Sequence, residues 1–81
     1  MKHLRSPRHR ALIATIVQAR KAAGLTQRQL AERLKRSNSF VWKIEAGERR
    51  VEVLEFIEIA RCLGEDPVQL FARLFSRQSG A

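Results

Sequence analysis

Residues 37–46, SNSFVWKIEA, combine side chains that form directional hydrogen bonds with side chains that belong in a protein core. On a helical wheel, Asn38, Ser39 and Lys43 fall on one side of this stretch. Asn can bond to adenine, Lys to guanine or phosphate, and Ser to several bases. The first turn of a helix is also the part that reaches base edges in a major groove. The pattern indicates a surface that reads nucleic acid, although Asn and Ser also occur at helix starts simply as capping residues.

The other side of the same stretch is apolar. Phe40, Val41 and Ile44 share one face and are predicted to anchor the helix in a core. Trp42 falls on the outward side with Ala46. Its indole could stack on a sugar or a thymine methyl, or pack on a neighbouring element, and the sequence leaves both open.

Charge is unevenly distributed along the 81 residues. The formal net charge is +8. Residues 1–50 carry thirteen Lys or Arg and three Glu, whereas residues 51–81 carry three Arg and five acids. This asymmetry favours a polyanion-binding face in the first part and a separate face for something else, over a generally basic surface.

The start of the chain, MKHLRSPRHR followed by ALIATIV, has the basic and apolar blocks of a secretory signal. The apolar residues, however, are spaced for one face of a helix, and polar residues follow at once. We therefore predict an amphipathic first helix. Ser6 is its expected cap, Pro7 its first residue and Gly24 its stop.

Two further helices are predicted from local signals. Thr26 and Gln29 form a capping box, and Leu25 with Leu30 forms the matching hydrophobic staple at the start of a second helix. A third helix is expected from Ser37, as its cap, to about residue 45.

The last two helices are expected at about residues 53–63 and from Asp66 onward. Glu52 is a poor capping residue, so the fourth helix has a weak predicted start. Asp66, Pro67 and Gln69 predict a well-capped fifth helix. The predicted inward face of the fourth helix consists of Val53, Phe56, Ile57, Ala60 and Leu63.

The chain length predicts one small domain without a cleft between lobes. We expect a flexible basic arm at 1–5, the domain at 6–76 and a flexible tail at 77–81. His3, His9 and Cys62 lack metal-ligand spacing, and no apolar run reaches the length of a membrane span. The sequence therefore predicts no enzyme, no metal, no cofactor and no membrane association.

The stretch LTQRQLAERLKRSNSFVWKIEAGER resembles the helix-turn-helix of the Cro/Xre family of phage and bacterial transcriptional regulators. The Thr-Gln start, the Leu-Ala pair, the Ile-Glu pair and the Gly-x-Arg close all match without a gap. A later step, RCLG at 61–64, matches the end of the family's next helix. The resemblance covers about residues 12–75.

The resemblance implies an all-α, compact, five-helix, lambda-repressor-like domain whose helix-turn-helix consists of helices 2 and 3. Helix 2 would lie over the phosphate backbone, and the recognition helix, about 38–45, would enter the major groove. It also implies a structural ion pair between Arg20 and Glu45. The predicted base-reading residues are Ser37, Asn38, Ser39, Trp42 and Lys43. The predicted phosphate-contacting residues are Gln27, Arg28, Lys35, Arg36, Arg49 and Arg50.

The chain departs from the family pattern at several positions. Lys35 stands where the turn usually has glycine, so a positive φ with a strain of roughly 1 kcal/mol is expected there. Arg36 replaces an apolar residue and could lay its stem over the core. Phe40 replaces a small hydroxyl residue, which removes one expected phosphate contact.

The predicted function is a sequence-specific, double-stranded-DNA-binding regulator, a repressor that binds an inverted-repeat operator as a homodimer. A few base contacts from one small domain select a genomic site poorly, and a symmetric dimer doubles them. The fifth helix either closes its own core or forms the dimer interface. In the second case the interface residues are Leu70, Phe71, Leu74 and Phe75.

Several alternatives remain open from sequence alone. An antitoxin or adaptor would use its C-terminal part to hold a protein partner, with DNA binding secondary. RNA binding is a weaker third interpretation. Residues 2–10 could enter a minor groove or form a solvated tail. The expected location is the cytoplasm, at the nucleoid through DNA binding.

Overall fold

The computed structural model describes residues 6–79, which form five helices connected by short turns. This confirms the predicted all-α, five-helix domain. The expected arm at 1–5, His3 and the last two residues of the expected tail lie outside the described residues. The helices are α1 Pro7–Ala22, α2 Gln27–Leu34, α3 Asn38–Glu45, α4 Val53–Cys62 and α5 Pro67–Ser79.

At three helix starts the side chain of the predicted cap residue accepts a bond from a backbone N–H of the first helical turn. Ser6 Oγ accepts a bond from the third helical N–H of α1 at 3.1 Å. Thr26 and Gln29 form both bonds of a capping box at 3.1 and 2.9 Å. Asp66 Oδ1 accepts from the second helical N–H of α5 at 2.8 Å. These bonds satisfy backbone donors that a helix cannot satisfy itself.

The other two starts differ from expectation. Ser37 occupies the cap position of α3, but its side chain makes no capping bond. Its Oγ lies 3.0 Å from Ser39 Oγ instead. At α4 the Glu55 carboxylate accepts from the Glu52 N–H at 3.0 Å. The start of α4, which Glu52 alone would cap weakly, is therefore stabilised by the side chain of Glu55, three residues later.

The turn between α2 and α3 has a left-handed lysine. Lys35 has φ 58° and ψ 40°, as its position in the turn predicts. Its N–H bonds to Glu32 O at 3.1 Å, and the next N–H, of Arg36, bonds to Ala31 O at 2.9 Å. These bonds close the last turn of α2 and direct the chain into α3 after only three residues.

The hydrophobic core takes one fully buried large aliphatic side chain from each helix. α3 packs against α1 and α2, α2 also packs against α4, and α5 packs against α1 and α4. α3 and α5 thus both pack on α1, and each has a second neighbour, α2 for α3 and α4 for α5. The five aliphatic residues are Ile16, Leu30, Ile44, Ile59 and Leu70.

The predicted inward face of α4 is partly wrong. Val53 is 77% exposed, whereas Ile59 and Glu55 are buried. The helix is rotated relative to the predicted wheel because its first turn is oriented by Glu55 rather than by an apolar contact of Val53. Leu70, a predicted dimer-interface residue, is also fully buried, so it belongs to the core of its own chain.

Within residues 6–79, no helix has both the length and the apolar character needed to cross a membrane. The same residues include no group of three or more His, Cys, Asp or Glu side chains that could hold a metal ion.

We predict that Lys35→Gly stabilises the domain. A left-handed conformation costs a non-glycine residue roughly 1–2 kcal/mol, and glycine removes that cost. The gain should be about 1 kcal/mol, or a rise in Tm of roughly 4–8 °C for a domain of this size. Urea unfolding followed by circular dichroism measures it.

Glu32→Gly, at an exposed position inside α2, is the matched control and should cost about 1 kcal/mol. A loss of stability in Lys35→Gly comparable with that of the control would show that the lysine side chain, not its backbone, determines the turn.

Candidate nucleic-acid interface

Helix α3 has two faces, as predicted. Phe40, Val41 and Ile44 are buried, and the remaining side is exposed along the whole helix. Trp42 is 47% exposed, so its indole lies on the surface of the domain. The exposed row consists of Asn38, Ser39, Trp42, Lys43 and Ala46.

The start of this row concentrates hydrogen-bonding groups. Ser37 and Ser39 are exposed, with their hydroxyls 3.0 Å apart, and Asn38 lies between them in sequence. A hydroxyl has one donor and two acceptor positions, so this mutual bond leaves capacity for another partner on each oxygen. The predicted base-reading residues therefore lie together on one exposed surface.

The end of α3 is fixed by a buried carboxylate. Arg20 Nε and Nη2 donate to the two oxygens of Glu45 at 2.7 and 3.0 Å. Gln27 Nε2 donates to the same carboxylate at 2.8 Å. Arg20 Nη1 also donates to Leu25 O at 2.9 Å, just before α2. The structure thus brings together the pair that the resemblance implies and adds Gln27 to it.

This contact differs from a surface ion pair because both side chains are shielded from water, with 11% of Arg20 and 7% of Glu45 exposed. Removing one partner of such a pair leaves an uncompensated buried charge and costs about 3–5 kcal/mol. Gln27, a predicted phosphate-contacting residue, has one of its amide protons committed here. Its position at the start of α2 is therefore tied to the orientation of α3.

A second cluster lies at the start of α3. Arg49 Nη1 and Nη2 donate to the two oxygens of Glu55, each at 2.8 Å. Arg36 Nη2 lies 3.7 Å from the same carboxylate. The guanidinium carbons of Arg36 and Arg49 each lie 4.5 Å from the centroid of the Phe40 ring. The cluster therefore connects the α2–α3 turn, α3, the following loop and α4.

The titration of this cluster follows from its geometry. Hydrogen bonds from Arg49 hold the pKa of Glu55 below its usual range, against burial, which raises it. The same bonds raise the pKa of Arg49 above its usual range. Glu55 is thus an ionised carboxylate from the acidic last part of the chain, and two arginines from the basic first part, Arg36 and Arg49, compensate its charge.

The six predicted phosphate-contacting residues fall into two groups. Gln27 and Arg49 have buried or half-buried carboxylates as partners, and Arg36 contacts both Phe40 and Glu55. Arg28, Lys35 and Arg50 are exposed. The second group can approach a phosphate without losing an internal contact.

Sequence reasoning missed the roles of Phe40 and Glu55. Phe40 was predicted only as a core residue, yet its ring also receives two guanidinium groups. Glu55 was not singled out, although an acidic residue three positions after a helix cap is a signal that could have found it. Its pairing with Arg49 follows no helical spacing, so only the fold shows it.

Comparisons with known proteins agree with this architecture. A family model described as a helix-turn-helix domain matches residues 3–74. A solved structure described as an XRE-family like protein, from Pseudomonas syringae pv. tomato strain DC3000, is 44% identical to this chain. That match covers 93% of this chain and 92% of the other, with a TM-score of 0.83. A search of curated protein sequences finds no match.

We predict that the stabilisation provided by Glu55 is lost in acid. Because its pKa is lower in the folded chain than in the unfolded chain, the contact stabilises the fold above about pH 4.3. This contribution disappears as the pH falls through the lower, folded value. Glu55→Gln should therefore cost about 1–3 kcal/mol at pH 7 and progressively less below pH 4.

The measurement is the free energy of unfolding in urea at a series of pH values. Glu58→Gln, at an exposed position on the same helix, is the control, and its difference from the parent chain should stay nearly constant. A difference for Glu55→Gln that does not change with pH would show that Glu55 contributes by packing and not by charge.

Proposed function

This chain belongs to the XRE family of helix-turn-helix DNA-binding proteins, which are not enzymes, and on that premise we propose that it is a transcriptional regulator that reads a specific duplex sequence. The observation that carries the proposal is the exposed polar row on α3, on a helix whose opposite face is buried. A rigid helix with such a row has the form required to read base edges in a major groove.

In the proposed mechanism, one set of residues recognises the bases and another binds the phosphate backbone. Asn38, Ser39 and Lys43 supply the donors and acceptors that distinguish bases, and each good bidentate contact contributes about 1–3 kcal/mol of discrimination. Ser37 extends the reading surface at its start, and Trp42 lies in its middle. An indole can contact the methyl group of thymine, which carries sequence information without a hydrogen bond.

Affinity would come mainly from the exposed basic residues around α3. Arg28, Lys35 and Arg50 belong to three different connections or helix starts that surround the recognition helix. Each phosphate contact releases a counterion, so log K should fall against log salt with a slope of about 0.9 per contact. These contacts fix the register of α3 without carrying sequence information.

We further propose that the chain acts as a homodimer on an inverted repeat, and as a repressor. The exposed apolar side chains support a second copy as the partner. Val53, Val68, Phe71 and Phe75, which we call the apolar face, are all exposed, and Phe71 and Phe75 are in edge-to-face contact at 5.3 Å. Exposed aromatic pairs of this kind are uncommon on a monomer surface.

A small pocket next to the apolar face also supports a two-fold interface. A small pocket of about 150 Å³ lies beside Phe71, lined by Leu12, Val51, Val53, Phe56, Phe71 and Leu74. Phe75, 59% exposed, lies one helical turn further along α5. With an exposed aromatic ring and an apolar pocket on one surface, the ring of each copy could enter the pocket of the other.

Leu70 takes no part in this proposed interface because it is buried. Leu74, half-buried, contributes to the pocket and not to the projecting surface. α5 packs on α1 and α4, whereas α3 packs on α1 and α2. We propose that pairing through the apolar face leaves the reading row of α3 available to DNA.

The second candidate function is that of an antitoxin or adaptor that uses the apolar face to bind a different protein. The same exposed aromatics favour it. The two candidates differ in what the purified chain does by itself: a regulator of the proposed kind dimerises and selects DNA without any other component.

The first test selects binding sites from a pool of random duplexes at 50 and 200 mM salt. We expect an enriched inverted repeat with half-sites about 34 Å apart, one helical turn, that survives the higher salt. Asn38→Ala combined with Lys43→Ala should abolish the enrichment, because it removes two reading groups from an exposed surface without affecting the core.

Glu48→Ala, exposed in the loop after α3, is the control and should retain the enriched sequence. If the chain binds tightly only at low salt and enriches nothing, α3 does not read sequence, and the basic surface is a non-specific anchor.

The dimer prediction is tested by sedimentation of the purified chain. Phe75→Glu places a charge on the apolar face and should convert the dimer into a folded monomer. Ser76→Glu adds the same charge at the next exposed position and should leave the dimer intact. A parent chain that remains monomeric at about 100 µM, well above the micromolar range of weak self-association, would contradict the dimer and favour the adaptor.

A further inference from the structure

The cluster of Arg36, Phe40, Arg49 and Glu55 at the start of α3 carries a net positive charge. Both oxygens of Glu55 are taken by Arg49 in a bidentate contact at 2.8 Å. Arg49 also donates to Arg50 O at 2.8 Å. Two guanidiniums and one carboxylate leave one excess positive charge, and the geometry places that excess on Arg36.

The Arg36 side chain is held in place, although its N–H groups do not all have hydrogen-bond acceptors within the cluster. Its guanidinium lies over the Phe40 ring at 4.5 Å and is 3.7 Å from Glu55, while 42% of its side chain remains exposed. A contact of 3.7 Å is too long for a good hydrogen bond. The Arg36 N–H groups are therefore oriented by the ring and the carboxylate but still available to a stronger acceptor.

We propose that Phe40, Arg49 and Glu55 form a platform that presents Arg36 to one phosphate of the DNA backbone at the start of α3. The proposal rests on the proposed function, because it takes duplex DNA as the partner. It assigns Arg49 a different role from the predicted phosphate contact: Arg49 neutralises Glu55 and supports the ring, and so acts as a positioning residue.

The physical advantage of the platform is preorganisation. A free arginine side chain loses part of its rotamer entropy whenever it binds a phosphate. Stacking on an aromatic ring restricts the side chain beforehand and also favours the cation. A guanidinium then meets a phosphate with paired N–H groups, the geometry in which arginine binds oxyanions best.

The platform also explains how a buried carboxylate is compatible with a DNA-binding surface. An uncompensated Glu55 would repel the phosphate backbone. The bidentate contact with Arg49 removes that repulsion. It also fixes the Glu55 carboxylate in the position from which it orients Arg36. Phe40 thus contributes through the arginine that its ring supports.

The test is a double-mutant cycle on DNA affinity, with Arg36→Gln, Phe40→Leu and both together. The probe is a random-sequence duplex of about 20 base pairs, about two helical turns, measured by fluorescence anisotropy between 50 and 200 mM salt. Arg36→Gln should weaken binding about three- to tenfold and reduce the salt slope by about 1.

Phe40→Leu should weaken binding when Arg36 is present and change it less than about twofold, the scatter expected for uncoupled sites, when Arg36 is already Gln. Phe40→Tyr, which retains the ring, should bind like the parent chain. Equal losses from Phe40→Leu in both backgrounds, or no loss in either, would overturn the platform. If Phe40→Leu does not fold, Arg49→Lys takes its place, since it retains the charge but not the bidentate contact.

Arg73→Gln removes the same charge from α5 and is the control for net charge; it should retain the parent salt slope. A parent chain that binds no duplex even at 50 mM salt would overturn the proposed function and the platform with it. A parent chain that binds, with additive losses in the cycle, would overturn the platform alone.

Discussion

The carboxylate of Glu45 is the point on which the rest of the domain depends. An eight-residue helix is too short to be stable by itself in water, so α3 must take its position from neighbouring elements. Glu45, its last residue, receives bonds from α1 through Arg20 and from α2 through Gln27. Arg20 is fixed in turn by Leu25 O. One buried group therefore sets the angle between the two helices of the helix-turn-helix and the helix that supports them.

The start of α3 is held by the same kind of interaction on the opposite side. Glu55 reaches back from α4 to the loop arginine, Arg49, and caps its own helix with the same carboxylate. The basic part of the chain is thus organised around two shielded acids, one at each end of α3. The positive charges that these acids do not use remain on the outside, where a polyanion would meet them.

The elements that sequence reasoning predicted well depend on short-range chemistry. The capping box of Thr26 and Gln29 and the two faces of α3 each follow from residues within one or two helical turns, whereas the left-handed turn at Lys35 is what the family resemblance implies. Reasoning failed where a distant residue decides the outcome. The first turn of α4 is oriented by Glu55, so Val53 is exposed, and Leu70 is buried because α1 and α4 meet at its position. A wide apolar stripe shows that a helix is amphipathic but not which of its edges is covered. The partners of Arg49 could be found only from the fold, because they come from α3 and α4.

The exposure of Trp42 has a practical consequence. It is the only tryptophan of the chain, which has no tyrosine, so all tryptophan emission comes from one indole in the middle of the reading row. A change in its intensity or wavelength therefore reports on the environment of that surface and on no other part of the molecule. Trp42 is therefore a fluorescent probe at the surface that a ligand of α3 would contact. The native chain needs no added dye.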